Sequence, residues 1–444
     1  QFLPGSKGVN PWDFVLMLEG AVLFQVAAVR RLDGAGLPQA AAPFAVRGQA
    51  GGYASACAAD ESARGEQWMP LWNGAASMAE VRALFAEGRL QSGGHRAHKA
   101  LDAARAVARL GVARGVGSFV RFGYIERNGQ ANLAVPLGRW QVKIEPHFQL
   151  LDEIDPWVDQ LRRASRGNTA PASLGRVLRV IEAAMLAVCH GSTAERWQSV
   201  LLALAEAEDM LTARPKATAD AHLQPLPRLS PDWLDAADDG SEHVRIARAI
   251  ASQTGPLDRR TASDFGPIRV HCLPLDPRSG FTRFATGEAG LLHDPRVVWT
   301  GRDLVSDLGQ IALRRVMEHQ RFGSEAFPLR GRAFARLDDV ARFLEGALDE
   351  ARIGGLARAF MAVDWPTVRR PAEPPRPQHP SVLHAIFRLA YAPERVHART
   401  REGSRELDPR GDPAPVRLLL AGRLHAAAEA ALRRLGTRGV RSRI

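Results

Sequence analysis

The feature that most constrains this fold is a long run of helical periodicity that begins at Pro146. The stretches "FQLLDEIDPWVDQLRRAS", "SLGRVLRVIEAAMLAVC" and "TAERWQSVLLALAEAEDML" place apolar residues three and four positions apart. This spacing puts the apolar side chains on one face of an α-helix, where they can pack against a neighbouring helix. The pattern therefore predicts a helical bundle over residues 146–214.

Near the start of the chain, "NPWDFVLMLEGAVLFQVAAVRRL" is almost free of polar residues. Asn10 can cap a helix that has Pro11 in its first position, and the pattern predicts that this helix runs to about Leu32. We expect Trp12 and the apolar face to pack into a core. An unpaired buried carboxylate is costly, so we also expect Glu19 to pair with an arginine there.

The rest of residues 1–145 mixes helical and extended patterns. "FAVRGQAGGYASA" predicts a short strand followed by a turn at Gly51 and Gly52, and "MAEVRALFAEGRL" and "HKALDAARAVARLG" predict helices. "ANLAVPLGRWQV" predicts an extended segment after a turn at Asn128-Gly129. We interpret residues 1–145 as a mixed α/β region.

The remaining segments complete a prediction of an α+β fold that is mostly α-helical. Proline-rich "PAEPPRPQHP" has an extended, linker-like composition, and two helical patterns follow it. The predicted segments after the bundle are a linker and small mixed region at 215–295, a helical region at 296–370, the proline-rich linker at 371–380 and a basic C-terminal helical unit at 381–444.

The formal net charge of +11 and the isoelectric point near 10.5 suggest an acidic partner. All but four of the 59 basic residues are arginine, a bias that a GC-rich genome can also produce. The distribution is more informative: residues 1–150 carry 16 basic and 11 acidic side chains, residues 151–300 carry 17 and 20, and residues 301–444 carry 26 and 17. The positive charge at the two ends suits contact with a polyanion, although a solvated face explains it equally well.

Sequence motifs do not point to an enzyme. "GVARGVGS" is not followed by the Gly-Lys-Ser/Thr of a phosphate-binding loop, and the three cysteines lie far apart, without metal-ligand spacing. We predict no catalytic residues, no metal site and no cofactor. The longest apolar run, Phe14 to Val29, contains polar interruptions, so we predict no membrane span and a cytoplasmic protein. The opening at Gln1, without a leader, suggests a portion of a longer chain.

Several segments have the residue types of a nucleic-acid interface. "FVRFGYIERNG" interleaves aromatic and arginine side chains, as single-strand binders do, although a helix with an aromatic core face has the same pattern. Glycines near Tyr53 allow close approach of a backbone to phosphate, or form an ordinary turn. The residues that we predict to contact nucleic acid are Lys7, Gly51, Gly52, Tyr53, Arg121, Tyr124, Arg127, Asn128, Arg139, Arg423, Arg434 and Arg438.

The C-terminal arginines carry the strongest charge signal. Residues 415–444 hold seven arginines and one acidic residue. Arg423 and Arg434 are eleven residues apart, which places them on one face of a single helix. Such a helix commonly follows a phosphate backbone, and a solvated, unstructured tail is the alternative.

Several longer strings resemble the large subunit of type I-G (formerly I-U) CRISPR interference complexes. They are "NPWDFVLMLEGAVLFQVAAVRRL", "GGYASA", "ARGEQWMPLW", "YIERNGQANLAVPLGRW", "LSPDWLDAADDGSEHVRIARAIAS" and "ARIGGLARAFMAVDW", in this order. Members of that family have a further N-terminal part before the "NPWDF" helix, so the resemblance also implies a partial chain.

The resemblance implies a non-enzymatic subunit of a guide-RNA surveillance complex in antiviral defence. Such a subunit recognises the protospacer-adjacent motif on duplex DNA and holds a DNA strand, while guide pairing carries most of the sequence specificity. The implied partners are guide RNA, target DNA, the backbone and 5′-end subunits, and a helicase-nuclease recruited afterwards. One alternative is a structural scaffold that mainly contacts protein neighbours. Another is a nuclease whose metal site uses dispersed residues such as Glu66, Asp303 and Asp307.

Overall fold

The computed structural model has the mostly α-helical α+β fold that the sequence predicts. It forms two compact units, one of residues 1–149 with 179–192 and the other of residues 150–178 with 193–444. The structure describes residues 10–23, 27–28, 40–41, 44–46, 63–87, 91–92, 95–96, 100–110, 115–127, 131–143, 146–167, 171–254, 266–288, 290–322, 331–369, 386–387, 396–400, 403–407 and 412–439.

Helices dominate from residue 150 onward, and the longer strands lie before it. The helices are α1 Pro11–Leu23, α2 Met78–Glu87, α3 Ala100–Leu110, α4 Leu150–Ser165, α5 Ala172–His190, α6 Ala194–Thr212, α7 Pro215–Asp220, α8 Asp232–Ala236, α9 Glu242–Ala251, α10 Leu304–Phe322, α11 Leu337–Leu344, α12 Glu350–Phe360, α13 Ala414–Leu420 and α14 Leu424–Thr437. The strands are β1 Ala27–Ala28, β2 Ala40–Ala41, β3 Ala45–Val46, β4 Ala63–Trp72, β5 Gln91–Ser92, β6 His95–Arg96, β7 Val116–Arg127, β8 Ala131–Gln141, β9 Thr286–Gly287, β10 Gly290–Leu291, β11 Val396–Thr400 and β12 Gly403–Leu407.

The first unit contains a four-stranded antiparallel sheet in the order β3-β4-β7-β8. Trp68 lies opposite Arg121, and Phe119 lies opposite Trp140, so these side chains share one face of the sheet. All four are almost completely buried. Residues 119–127 of "FVRFGYIERNG" are therefore the end of a long strand, and the helical alternative for them is wrong. Phe119 and Phe122 stand on opposite faces of this sheet.

Two helix starts in the first unit follow from local sequence. The Trp12 amide donates to Asn10 Oδ1 at 3.1 Å, which confirms Asn10 as the cap of α1. Before α2, the Ser77 amide donates to Glu80 Oε2 at 2.7 Å and the Glu80 amide donates to Ser77 Oγ at 3.3 Å. This reciprocal pair satisfies two backbone N–H groups that the helix itself leaves free.

Helix α1 differs from the prediction in length and in burial. It ends at Leu23 rather than near Leu32, and Ala27–Ala28 pairs as a strand with Ala40–Ala41. Trp12 is 72% exposed and Leu16 is 63% exposed, so the expected packing into a core is wrong. Glu19 is also exposed, and the buried ion pair expected for it is not formed.

The second unit begins with the helices that the periodicity predicts. Along α6, Trp197, Leu201, Leu204 and Leu211 are buried at helical spacing, and Trp197 meets Trp233 edge to face with ring centroids 5.3 Å apart. Two shorter helices, α8 and α9, follow in the same unit. Ser241 caps α9 by accepting from the Val244 amide.

A buried ionic cluster ties α6 and α12 to a loop of the second unit. Glu208 accepts a hydrogen bond from the Arg269 guanidinium, from the Leu226 amide at 2.7 Å and from Arg358 NH1 at 3.1 Å. Arg358 also donates to Asp209 at 2.8 Å. Two arginines thus face two carboxylates, and this balance offsets the cost of removing the charges from water.

The C-terminal part is less purely helical than the sequence predicts. An antiparallel hairpin, β11 and β12, interrupts it. The predicted last helix is split because Gly422 adopts a φ of +70°, which turns the chain between α13 and α14. Ala431 and Leu435 of α14 pack with Ile386 in a small core. The proline-rich linker at 371–380 lies outside the described residues.

Candidate nucleic-acid interface

The predicted contact residue Arg121 is a buried member of an ion pair. Its Nε donates to Glu66 Oε2 at 3.1 Å and its NH2 donates to the same oxygen at 2.8 Å. The Arg121 Cζ lies 5.2 Å from the centroid of the Trp68 ring and 5.9 Å from that of Trp140. With 1% of Arg121 exposed, a phosphate cannot reach it, which corrects the expectation that it contacts nucleic acid.

The aromatic side chains near Arg121 are core residues too. Phe119 is fully buried and contacts Phe44 and Trp68, with ring centroids 5.6 Å and 5.9 Å away. Phe122, on the opposite face of the sheet, is half-buried. The interleaving of aromatic and basic residues in β7 therefore reflects a sheet with a charged pair in its aromatic core.

Arg139 of β8 is the exposed predicted residue on this sheet. It lies opposite Val120, on the face away from Arg121, and its Nε donates to Ser118 Oγ at 3.0 Å. Arg139 as a whole is exposed. The structure is therefore compatible with a phosphate contact at Arg139 and not at Arg121.

The other predicted residues of the first unit lie outside the part that the structure describes. Lys7, Gly51, Gly52, Tyr53 and Asn128 belong to undescribed segments. For Tyr124 and Arg127 the structure describes the backbone of β7 alone. Their predicted contacts with nucleic acid stay predictions.

The predicted C-terminal arginines lie on a helical hairpin formed by α13, the turn at Gly422, and α14. Arg423 stands in the turn and is exposed, Arg438 follows the end of α14 and is exposed, and Arg434 is half-buried within α14. Arg423 is the N-cap residue of α14 and directly precedes its first helical residue, whereas Arg434 lies in its last turn. The expectation that the two arginines share one face stays a prediction. Arg417 of α13 is also exposed.

These hairpin arginines differ from the arginines of the unit's interior in their partners. Two buried arginines bind carboxylates: Arg269 binds Glu208, and Arg358 binds Asp209 at 2.8 Å. Among the described residues, none of the hairpin arginines forms an ion pair; these are Arg417, Arg423, Arg433, Arg434 and Arg438. Residues 412–439 contain these five arginines and two carboxylates, Asp412 and Glu429. The hairpin therefore carries positive charge that no carboxylate in the described part of the chain neutralises.

The carboxylates of the dispersed nuclease hypothesis have structural partners. Glu66 binds Arg121, as described above. Asp307 is 2% exposed and accepts from the Thr300 amide, the Thr300 hydroxyl and the Gly301 amide at 2.8 to 2.9 Å. Asp303 accepts from the Ser306 amide at the start of α10. In the described part of the chain, no group of three or more His, Cys, Asp or Glu side chains is arranged to hold a metal ion.

The two described cysteines are buried free thiols, at Cys189 and Cys272. Burial raises the pKa of each thiol to about 12. A thiol with such a pKa is protonated near neutral pH and is a poor nucleophile.

Among the helices that the structure describes, none has the length and apolar character needed to cross a membrane.

Sequence reasoning missed a group of exposed arginines at the end of α4 and the start of α5. They are Arg163, Arg166 and Arg176. A count of acidic residues would have found them, because residues 160–178 contain four arginines and no Asp or Glu. It also missed Arg417, which is exposed on α13.

Comparison with protein-family models gives no match, and comparison with curated proteins gives none either.

Proposed function

We propose that this chain is the non-catalytic large subunit of a type I-G CRISPR guide-RNA surveillance complex, acting in the cytoplasm in antiviral defence. In this role it binds target DNA and guide RNA beside the backbone and 5′-end subunits, and a helicase-nuclease joins afterwards. The ordered strings that resemble this family support the proposal. Guide pairing supplies most of the sequence specificity, so the protein needs to read a short motif and to hold phosphates.

One structural observation carries the nucleic-acid part of the proposal: the hairpin of α13 and α14 exposes arginines that have no carboxylate partner. An exposed guanidinium offers a planar set of N–H donors that matches a phosphate group. Neutralising phosphates releases counterions, and this release gives sequence-independent affinity that weakens as salt is added. The hairpin is therefore suited to following a nucleic-acid backbone.

The experiment measures binding of the full chain to duplex DNA by fluorescence anisotropy over a series of salt concentrations. The hairpin variant replaces Arg417, Arg423 and Arg438 with Gln. We expect weaker binding, a slope of log K against log salt that is less negative by about 2 to 3, and an unchanged preference among DNA sequences.

The matched control replaces Arg278, Arg283 and Arg302 with Gln. These arginines are also exposed, but residues 276–303 contain four arginines and four carboxylates, so that region is locally neutral. We expect the control to bind like the unaltered chain. Equal binding by the hairpin variant would remove the hairpin from the interface, and metal-dependent cleavage by the chain alone would contradict a non-catalytic role.

Helix α1 favours a second candidate function, a scaffold that contacts mainly protein neighbours. Trp12, Leu16 and Met17 are each more than half exposed. Exposed apolar side chains this close together are typical of surfaces that bind another protein. Salt-independent, weak DNA binding by the unaltered chain, together with stable co-purification of protein subunits, would favour the scaffold over the nucleic-acid role.

A further inference from the structure

We propose that the end of α4 and the start of α5 form a second phosphate-contacting surface for nucleic acid, separate in sequence from the hairpin of α13 and α14. This inference rests on the proposed function, because it names a further part of the chain that the same polyanion would contact. Its residues are Arg163 and Arg166 at the end of α4, and Arg176 in the first half of α5.

The first argument is the absence of a local counter-charge. Residues 160–178 contain four arginines and no acidic residue, and only Arg162 has a carboxylate partner, Asp159. The Arg163 Nε donates to the Asp159 backbone carbonyl, which leaves its charge uncompensated. Arg166 and Arg176 form no ion pair with any described residue. Three exposed positive charges therefore remain without an internal partner.

The second argument is that helix electrostatics explain only part of this arrangement. Cations at the C-terminal end of α4 interact favourably with the negative end of its dipole, by about 0.3–1 kcal/mol each. Arg176 gains nothing of this kind, because it stands near the positive end of α5, whose first turn holds no acidic residue. An external anion supplies the interaction that the fold itself does not.

The third argument concerns the kind of anion. The three guanidiniums belong to two helix ends that six residues join, so they lie within reach of successive groups on one extended polyanion. Protein interfaces bury a largely apolar centre, and their polar residues form a rim around it. At this corner, Arg163, Arg166 and Arg176 are themselves the exposed groups. A phosphate backbone, which is contacted through charge and N–H donors alone, fits this surface better than an acidic protein does.

The test uses the full chain with Arg163, Arg166 and Arg176 replaced by Gln, called the α4–α5 variant. Binding to duplex DNA, to single-stranded RNA and to polyglutamate is measured over a salt series. The variant with Gln at Arg278, Arg283 and Arg302 serves again as the control, and thermal melting shows whether each variant is folded. We expect weaker binding to DNA or RNA and a salt slope that is less negative by about 2 to 3.

The possible outcomes separate this inference from the proposed function. Unaltered nucleic-acid binding by a folded α4–α5 variant would overturn the inference alone. A loss confined to polyglutamate would assign the surface to an acidic protein and would also overturn it. Failure of the unaltered chain to bind any nucleic acid would overturn the proposed function together with the inference. If the α4–α5 variant does not fold, single substitutions at Arg166 and Arg176 are compared by the same measurement.

Discussion

At the scale of single residues, the sheet of the first unit buries a charged pair within its aromatic core. Arg121 and Glu66 are both nearly inaccessible, and the Trp68 indole N–H also donates to Glu66, at 3.1 Å. Desolvating two charges is costly, and their mutual attraction with complete hydrogen bonding compensates for it. Removing one partner leaves the other charge buried and unpaired.

We therefore predict that Arg121→Met destabilises the chain by about 3–5 kcal/mol, because Glu66 then lacks its counter-charge. The double variant Arg121→Met with Glu66→Gln should be more stable than the single variant, since the amide keeps an acceptor for Trp68. Urea unfolding measures both. A single variant that is as stable as the unaltered chain but binds DNA more weakly would contradict the structural role and restore Arg121 as a ligand.

A second residue-scale feature is the buried imidazole of His271. Arg315 Nε donates to His271 Nε2 at 2.7 Å, and His271 Nδ1 is 2.8 Å from the Arg296 carbonyl oxygen. Because Nε2 accepts, the ring is neutral, with its proton on Nδ1. Burial, aided by the positive charge of Arg315, lowers the pKa of His271 from 6.5 to about 3.

This lowered pKa predicts a loss of stability in acid. Between pH 6.5 and pH 3 the unfolded chain binds a proton at His271 and the folded chain does not. The free energy of unfolding therefore falls as the pH falls through this window, by about 1.4 kcal/mol per pH unit from this group. His271→Gln, which can keep both hydrogen bonds, should show a shallower dependence. The urea midpoint measured from pH 7 to pH 4 checks this, and equal slopes in the two proteins would contradict it.

At the scale of elements, the hairpin of α13 and α14 depends on the backbone of one glycine. Gly422 has a φ of +70° and ends α13, and a Cβ placed there would meet no atom within 4 Å. Any effect of a side chain at this position is therefore conformational rather than steric crowding.

We predict that Gly422→Ala destabilises the hairpin by roughly 1–2 kcal/mol, the cost of a left-handed conformation for a residue with a Cβ. Gly436→Ala is the matched control: Gly436 is exposed within α14 and a Cβ there also meets no atom within 4 Å. Alanine is the better helix former, so the control should be neutral or more stable by up to about 1 kcal/mol. Thermal unfolding compares the two. If a helix ran through Gly422 instead, alanine there would be stabilising, and the order of stability of the two variants would be reversed.

Much of the element pattern was predictable because it depends on local spacing. The periodicity of α4, α5 and α6 and the cap at Asn10 both depend on residues that are only a few positions apart. The end of α1 and the hairpin of β11 and β12 were not predictable, since strand pairing competes with helix propensity and depends on the partner segment. The prediction that α1 is buried was wrong, because an apolar pattern does not show which surface a helix packs against.

At the scale of the whole molecule, the arginine-rich composition separates into two populations. One population forms ion pairs with carboxylates inside each unit. Examples are Arg121 with Glu66, and Arg358 with Glu208 and Asp209. The other is exposed and unpaired, on the hairpin of α13 and α14 and at the end of α4 and the start of α5. The number of arginines counts both populations equally, so it overstates the positive charge that a polyanion can reach. The net charge does not, because each internal ion pair contributes zero to it.

The sequence by itself determined the helical majority, the main helix starts and the excess of positive charge toward the C terminus, because these follow from composition and from contacts between near neighbours. Only the tertiary structure decided which arginines remain free. Arg121 and Glu66 are 55 residues apart, and Arg358 and Glu208 are 150 apart. An arginine is paired inside the fold when folding brings a carboxylate to it, and otherwise it remains free to bind an external anion. Local sequence patterns do not show which carboxylates folding brings close.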